Sequence, residues 1–190
     1  MILYSKTEEL IENYLKLTKD TILHCLSSLY LESPIEQIFA TGLITHGHNP
    51  VFSARFNETL SLLQSGNLPP LETWQDSGFV WTSQFSFNQY RADFAFVFYS
   101  ELISYKKVIV ECDGHEFHEK TKEQAAKDKK RDRYFQQNGW QILHFTGSEI
   151  YENPRKCIYE LLNIYDIPFC EAITKEVERR RRLEGEKEDA

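Results

Sequence analysis

The stretch VIVECDGHEFHEK, residues 108–120, begins as an apolar, β-branched run and then sets Glu111, Asp113, His115, Glu116, His118 and Glu119 close together. Val-Ile-Val packs well on a pleated, buried surface, so the first half predicts a core strand. Strand side chains alternate, so Glu111 and Asp113 point to one face and Cys112 to the other, the two carboxylates separated by about 6.6 Å of chain at roughly 3.3 Å per residue. A buried strand that ends in paired carboxylates places charge at the rim of a sheet.

Working outward, three strands are expected: 80–87, 90–99 and 107–112, each rich in aromatic and β-branched residues. In the second, Phe94, Phe96 and Phe98 share one face and Asp93, Ala95 and Val97 the other. The polar connection SELISYKK is short enough for the second and third strands to pair antiparallel, which brings Asp93 beside Glu111. Two bare carboxylates about 4 Å apart repel by roughly 4 kcal/mol at an effective dielectric near 20. Such a group requires a cation or shared protons, and an all-oxygen set suits Mg²⁺ or Mn²⁺ better than zinc.

After the carboxylates, TKEQAAKDKKRDRYFQQNGW reads as a polar helix closed by Asn138-Gly139, and WQILHF as a fourth strand. Before them, Ser5 and Glu8 can cap a long helix, or two helices broken near Lys19-Asp20. A second helix starts at Ser33-Pro34-Ile35-Glu36, with Ser33 as N-cap and Pro34 at its first position. Residues 46–79 mix Gly, Pro, Asn and Ser and predict an insertion with one small helix or hairpin. A helix over 154–165 and a charged segment over 166–190 follow. The expected class is α/β, a mixed central sheet flanked by helices in a single domain with an N-terminal helical part over 1–45.

The bulk properties narrow the function. At 190 residues, with 41% hydrophobic residues, the chain can build one core. A formal net charge of −7 argues against a protein that coats nucleic acid non-specifically, because such binding rests on Lys and Arg. Locally the balance reverses: residues 120–133 hold seven basic and three acidic side chains. The four cysteines show no CxxC spacing, so they are expected to be free thiols. With no apolar run of about 20 residues and no signal-peptide layout at the start, a cytoplasmic protein without a membrane segment is expected.

Taken together, YRADFAFVF, VIVECDGHEFH and KDKKRDRYFQQNGWQILHFTGSEI resemble the PD-(D/E)XK nuclease superfamily, and within it the very-short-patch-repair-like endonucleases, over about residues 80–152. The resemblance implies a restriction-endonuclease-like core and Mg²⁺- or Mn²⁺-dependent hydrolysis of DNA. It implies that Asp93 and Glu111 bind the metal, with Asp113 as a third acidic position and Glu36 a contribution from the early helix. The superfamily's usual Lys two residues after the Glu is replaced here by Asp113, so its role passes to Lys127 or Lys130, to Gln84, or to His115 or His118. The alternative is a domain that has lost catalysis and binds DNA or a partner protein.

Each residue also has a plainer explanation. Glu36 fits a capping box; Asp93 could pair with Arg91 or Lys107; Asp113-Gly114 is turn chemistry. HEFH is one residue short of the H-E-x-x-H zinc spacing, His46-Gly47-His48 reads as a loop, and Cys112 as a core thiol. For the basic helix, DNA contact by Lys127, Lys129, Lys130, Arg131 and Arg133 is favoured over a solvated face, because it follows directly on the carboxylates. Asp128 and Arg131 could instead pair across a turn. The Arg179–Arg182 run, offset by the acidic residues after it, reads as a solvated or partner-binding helix, and the terminal helices are the expected surface for a protein partner or a homodimer.

Overall fold

Four strands order the chain: β1 (Phe79–Phe87), β2 (Tyr90–Ser100), β3 (Ser104–Asp113) and β4 (Trp140–Thr146) lie side by side in that order. The first three are antiparallel neighbours and β4 runs parallel to β3, so the sheet is mixed as expected. The computed structural model describes residues 2–46, 48, 50, 51, 53–65, 79–100, 104–114 and 121–163. The expectations for His115, Glu116, His118, Glu119, Lys120 and the segment 166–190 lie outside the described residues.

The hairpin between β1 and β2 turns on Asn88, whose φ of +54° is the left-handed conformation that tight hairpins require and Asn tolerates. Its amide donates to Tyr134 Oη at 2.7 Å, tying the turn to the basic helix. β3 starts three residues before the expected position, because Tyr99 with Tyr105 and Ser100 with Ser104 extend the ladder into the presumed loop. The parallel return to β4 is made by α4 (Lys122–Gln137). Thr121 and Gln124 form a reciprocal capping box at its start, and Gly139, at φ +76°, closes its end.

Helices cover both faces. On one, α2 (Pro34–Thr45), α5 (Gly147–Glu152) and α6 (residues 154–163) bury Phe39, Leu43, Ile150 and Ile158 against Trp81, Phe94, Phe96, Phe98, Val108 and Val110. On the other, α3 (Ser53–Gln64) and α4 bury Phe56, Leu60 and Phe135 against Ala95, Val97, Ile109 and Trp140. Each fully buried Phe contributes roughly 1.5–3 kcal/mol from the surface it removes from water. α1 (Ile2–Ser27) is one unbroken helix that joins the first core through Ile22, Cys25 and Leu26, while Ile11, Leu15 and Leu17 stay exposed. Of the small helix or hairpin expected in the 46–79 segment, the helix is observed, as α3; residues 66–78 lie outside the described residues.

Candidate functional site

The carboxylates gather where the sheet forks. Pairing of β2 with β3 runs as far as Phe94 opposite Val110 and goes no further. β2 continues beside β1 to Tyr90, while β3 continues beside β4, with Glu111 opposite His144, Cys112 opposite Phe145 and Asp113 opposite Thr146. A strand leaving its neighbour strands backbone donors that still need partners. Asp93 supplies one: its Oδ2 accepts from the Cys112 N–H at 2.8 Å. This bond holds Asp93 across the mouth of the fork, beside the end of β3.

Both strands also turn over at this point. On β1, Trp81 packs in the first core and Val80 in the second, so alternation would put Phe85 in the first; Phe85 lies in the second. On β2, Phe94 is in the first core but Ala92 is in the second. The expected alternation therefore holds for Phe94 to Phe98 and ends at Asp93. The turning point on β1 is Gln84, whose φ is +48°.

Around the fork, Glu111 is only 5% exposed and its Oε2 meets Arg131 Nη2 at 3.1 Å, while its Oε1 is buried without a hydrogen-bond partner. Burial and, next, the Asp93 charge push the Glu111 carboxyl up to about 8, although Arg131 opposes them. Asp93 is pushed up to about 6, chiefly by burial and further by the charge of Glu36, against the pull of the Cys112 N–H. Asp113 Oδ2 bonds His144 Nδ1 at 2.9 Å, and His144 Nε2 lies 3.4 Å from Asp132 Oδ2. The His144 pKa is raised, first by that hydrogen bond to Asp113. Burial drives the Cys112 thiol far up, and the residue packs, partly buried, against the first core.

Glu36 enters from the first-core side. Ser33 Oγ accepts from the Glu36 N–H as a cap should, but the Glu36 carboxylate does not complete a capping box. Its Oε2 accepts instead from the Glu32 N–H at 3.0 Å and from Gln84 Nε2 at 2.7 Å, and the residue is 4% exposed. The plain salt-bridge reading of Asp93 is not realised: Arg91 pairs with Glu32, and Lys107 donates to Asn138 O and lies over the Trp140 ring.

The fold thus brings Glu36, Gln84, Asp93, Glu111, Asp113 and Arg131 together. Lys127, Lys129, Lys130 and Arg133 remain exposed on α4 rather than joining them. Arg131 differs from its neighbours, because its side chain is turned to Glu111 instead of standing free for phosphate. His144 and Asp132 belong to the cluster but were not among the expected site residues. The signal for His144 was present in WQILHF, where it falls in step with Trp140 and Ile142, two residues of the second core. Among the described residues no group of three or more His, Cys, Asp or Glu side chains is arranged to hold a metal ion; Arg131 and His144 engage Glu111 and Asp113.

Residues 71–164 match the family REase_MTES_1575. This is a restriction-endonuclease-like family, consistent with the PD-(D/E)XK superfamily, and the mixed sheet between helical layers is consistent with that fold. The REase_MTES_1575 match contains the whole fork, from Gln84 through Asp93, Glu111, Asp113 and Arg131 to His144, and leaves Glu36 outside. No curated protein and no solved structure matches the chain. Among the described residues no helix is long and apolar enough to cross a membrane.

Proposed function

We propose that the protein is a metal-dependent endonuclease that hydrolyses phosphodiester bonds in DNA, of the very-short-patch-repair-like branch. The observation that carries this reading is the unspent oxygen at the fork. Glu111 and Asp93 are both held well above the usual carboxylate range, and Glu111 Oε1 and Gln84 Oε1 are buried without partners. An unsatisfied buried acceptor costs about 1–3 kcal/mol, so two of them beside the raised carboxylates leave oxygens that a cation or its water would use. The family match supports nuclease chemistry at this place.

The donors at the fork are all oxygen, the chemistry that a hard divalent cation takes, and Asp93, Glu111, Asp113 and Glu36 would hold Mg²⁺ or Mn²⁺ once drawn together around it. When bound, such an ion supplies Lewis-acid stabilisation of phosphate charge and makes water more acidic. The chain's own groups do the rest. Arg131 orients Glu111, and His144 fixes Asp113 from the adjacent strand. Arg131 brings positive charge beside Glu111, two residues before the position that lacks the usual lysine. Lys127, Lys129, Lys130 and Arg133, exposed on α4, neutralise backbone phosphates, and Lys127, Lys130 and His118 remain the candidates for handling the proton of the attacking water.

A second reading has its own support: Asp113 replaces the lysine, and Arg131 occupies one oxygen of Glu111. A domain with these features could bind DNA without cutting it. Incubating plasmid and single-stranded DNA with the protein in Mg²⁺, Mn²⁺ or EDTA separates the two. Cleavage that needs the ion and is lost in Glu111→Gln is expected; DNA binding with no cleavage under any ion would favour the inactive domain.

A further inference from the structure

Gln84 carries an unusual backbone conformation at the point where β1 turns over. Its φ of +48° lies in the left-handed region, which residues other than Gly, Asn and Asp seldom enter. The hairpin turn is made separately at Asn88. Nor is there a bulge, because Ser83 opposite Phe94 and Phe85 opposite Ala92 keep the same register on both sides of Gln84. That register places Gln84 across the ladder from Asp93.

The side chain is equally costly in place. Glu36 offers only acceptors, so the amide nitrogen of Gln84 faces it, at 2.7 Å from Oε2. The amide oxygen is then left buried with no hydrogen-bond partner among the described residues. A residue chosen for packing would carry neither cost: Gly would accept the backbone freely, and an apolar side chain would leave no oxygen unsatisfied. Strain and an orphaned acceptor fall at one residue, bonded to Glu36 and across the ladder from Asp93, and such outliers gather at functional sites.

We propose that Gln84 is a positioning residue of this site: its N–H holds the Glu36 carboxylate, and its carbonyl oxygen is kept free as a neutral donor to a hard divalent cation or that cation's water. The assignment rests on the nuclease reading above. It adds an uncharged oxygen to the acidic set, which lowers the mutual repulsion that a further carboxylate would bring.

The test uses the intact chain with Gln84→Gly and Gln84→Asn, since both Gly and Asn tolerate the left-handed backbone and neither presents an amide at the length of Gln. Thermal melts with EDTA and with Mn²⁺, DNA affinity in EDTA, and cleavage at saturating plasmid are measured. Both variants should melt cooperatively without metal and bind DNA as the wild type does. The Mn²⁺-induced rise in melting temperature should shrink, and the cleavage rate should fall by about tenfold or more. Should Gln84→Gly fail to fold, Gln84→Asn alone decides. A variant with the wild-type Mn²⁺ shift and rate would overturn the assignment and leave the nuclease reading intact. A wild-type chain with neither a Mn²⁺ shift nor cleavage would overturn both.

Discussion

Replacing Glu111 by Gln in the metal-free protein should raise its stability, and by more as the pH rises. The Glu111 carboxyl sits at about 8 in the fold, against an ordinary value of 4.5, because burial and Asp93 penalise its charge more than Arg131 at 3.1 Å rewards it. Between those two values the folded chain keeps a proton that the unfolded chain has released. Stability of the wild type must therefore fall with rising pH across that window, by up to about 1.4 kcal/mol per pH unit, and level off above it. Summed over the window this approaches 5 kcal/mol, but Arg131, Asp93 and relaxation of the fork share the charge, so a difference of about 2 kcal/mol near pH 8 is expected. Gln has the same shape and does not titrate, so its curve should lack this slope. Urea unfolding of both proteins in EDTA at about pH 5.5, 7 and 8.5 measures it. Saturating Mg²⁺ should flatten the wild-type slope, since a cation favours the ionised form. If Glu111→Gln is instead the less stable protein at about pH 8.5, Glu111 is an ionised partner of Arg131 that stabilises the fold, and the reasoning from burial fails.

Asp93→Asn should abolish cleavage, while metal-free stability stays level or rises by ~1 kcal/mol, because Asn can still accept from the Cys112 N–H as repulsion falls. Melting well below the wild type, or persistent cutting, would make Asp93 structural. Glu36→Gln should raise the Mg²⁺ concentration needed for turnover, and an unchanged metal titration would remove Glu36 from the site. Replacing Lys127, Lys129 and Lys130 together by Gln should weaken DNA binding and flatten its dependence on salt, because fewer counterions are released. Loss of cleavage at saturating DNA with unchanged binding would show that one of these lysines acts in the chemistry.

Local pattern was enough to place every strand, because the four apolar segments are short, β-branched or aromatic, and bounded by turn chemistry; only their ends moved, as at Ser104, where pairing with Ser100 overrode a polar composition. The same pattern singled out Asp93, Glu111 and Asp113, since a carboxylate within or at the end of an apolar strand is visible in one dimension. It could not assign partners. Local spacing offered Arg131 a phosphate or Asp128 one turn away, and only the crossover of α4 onto the second face turned it to Glu111. His144 became part of the site through the parallel register of β3 with β4, a contact between residues 33 positions apart that no local spacing encodes. Glu36 satisfied a helix-capping pattern, yet packing of α2 on the sheet buried its carboxylate beside Gln84. The reversal at Gln84 left no trace in composition, because a left-handed residue within a strand is imposed by surrounding contacts rather than by its own preference. Residue types determine which segments are buried and where charge accumulates; which charges meet is set by register and by the approach of helices, which follow from the packing of the whole chain.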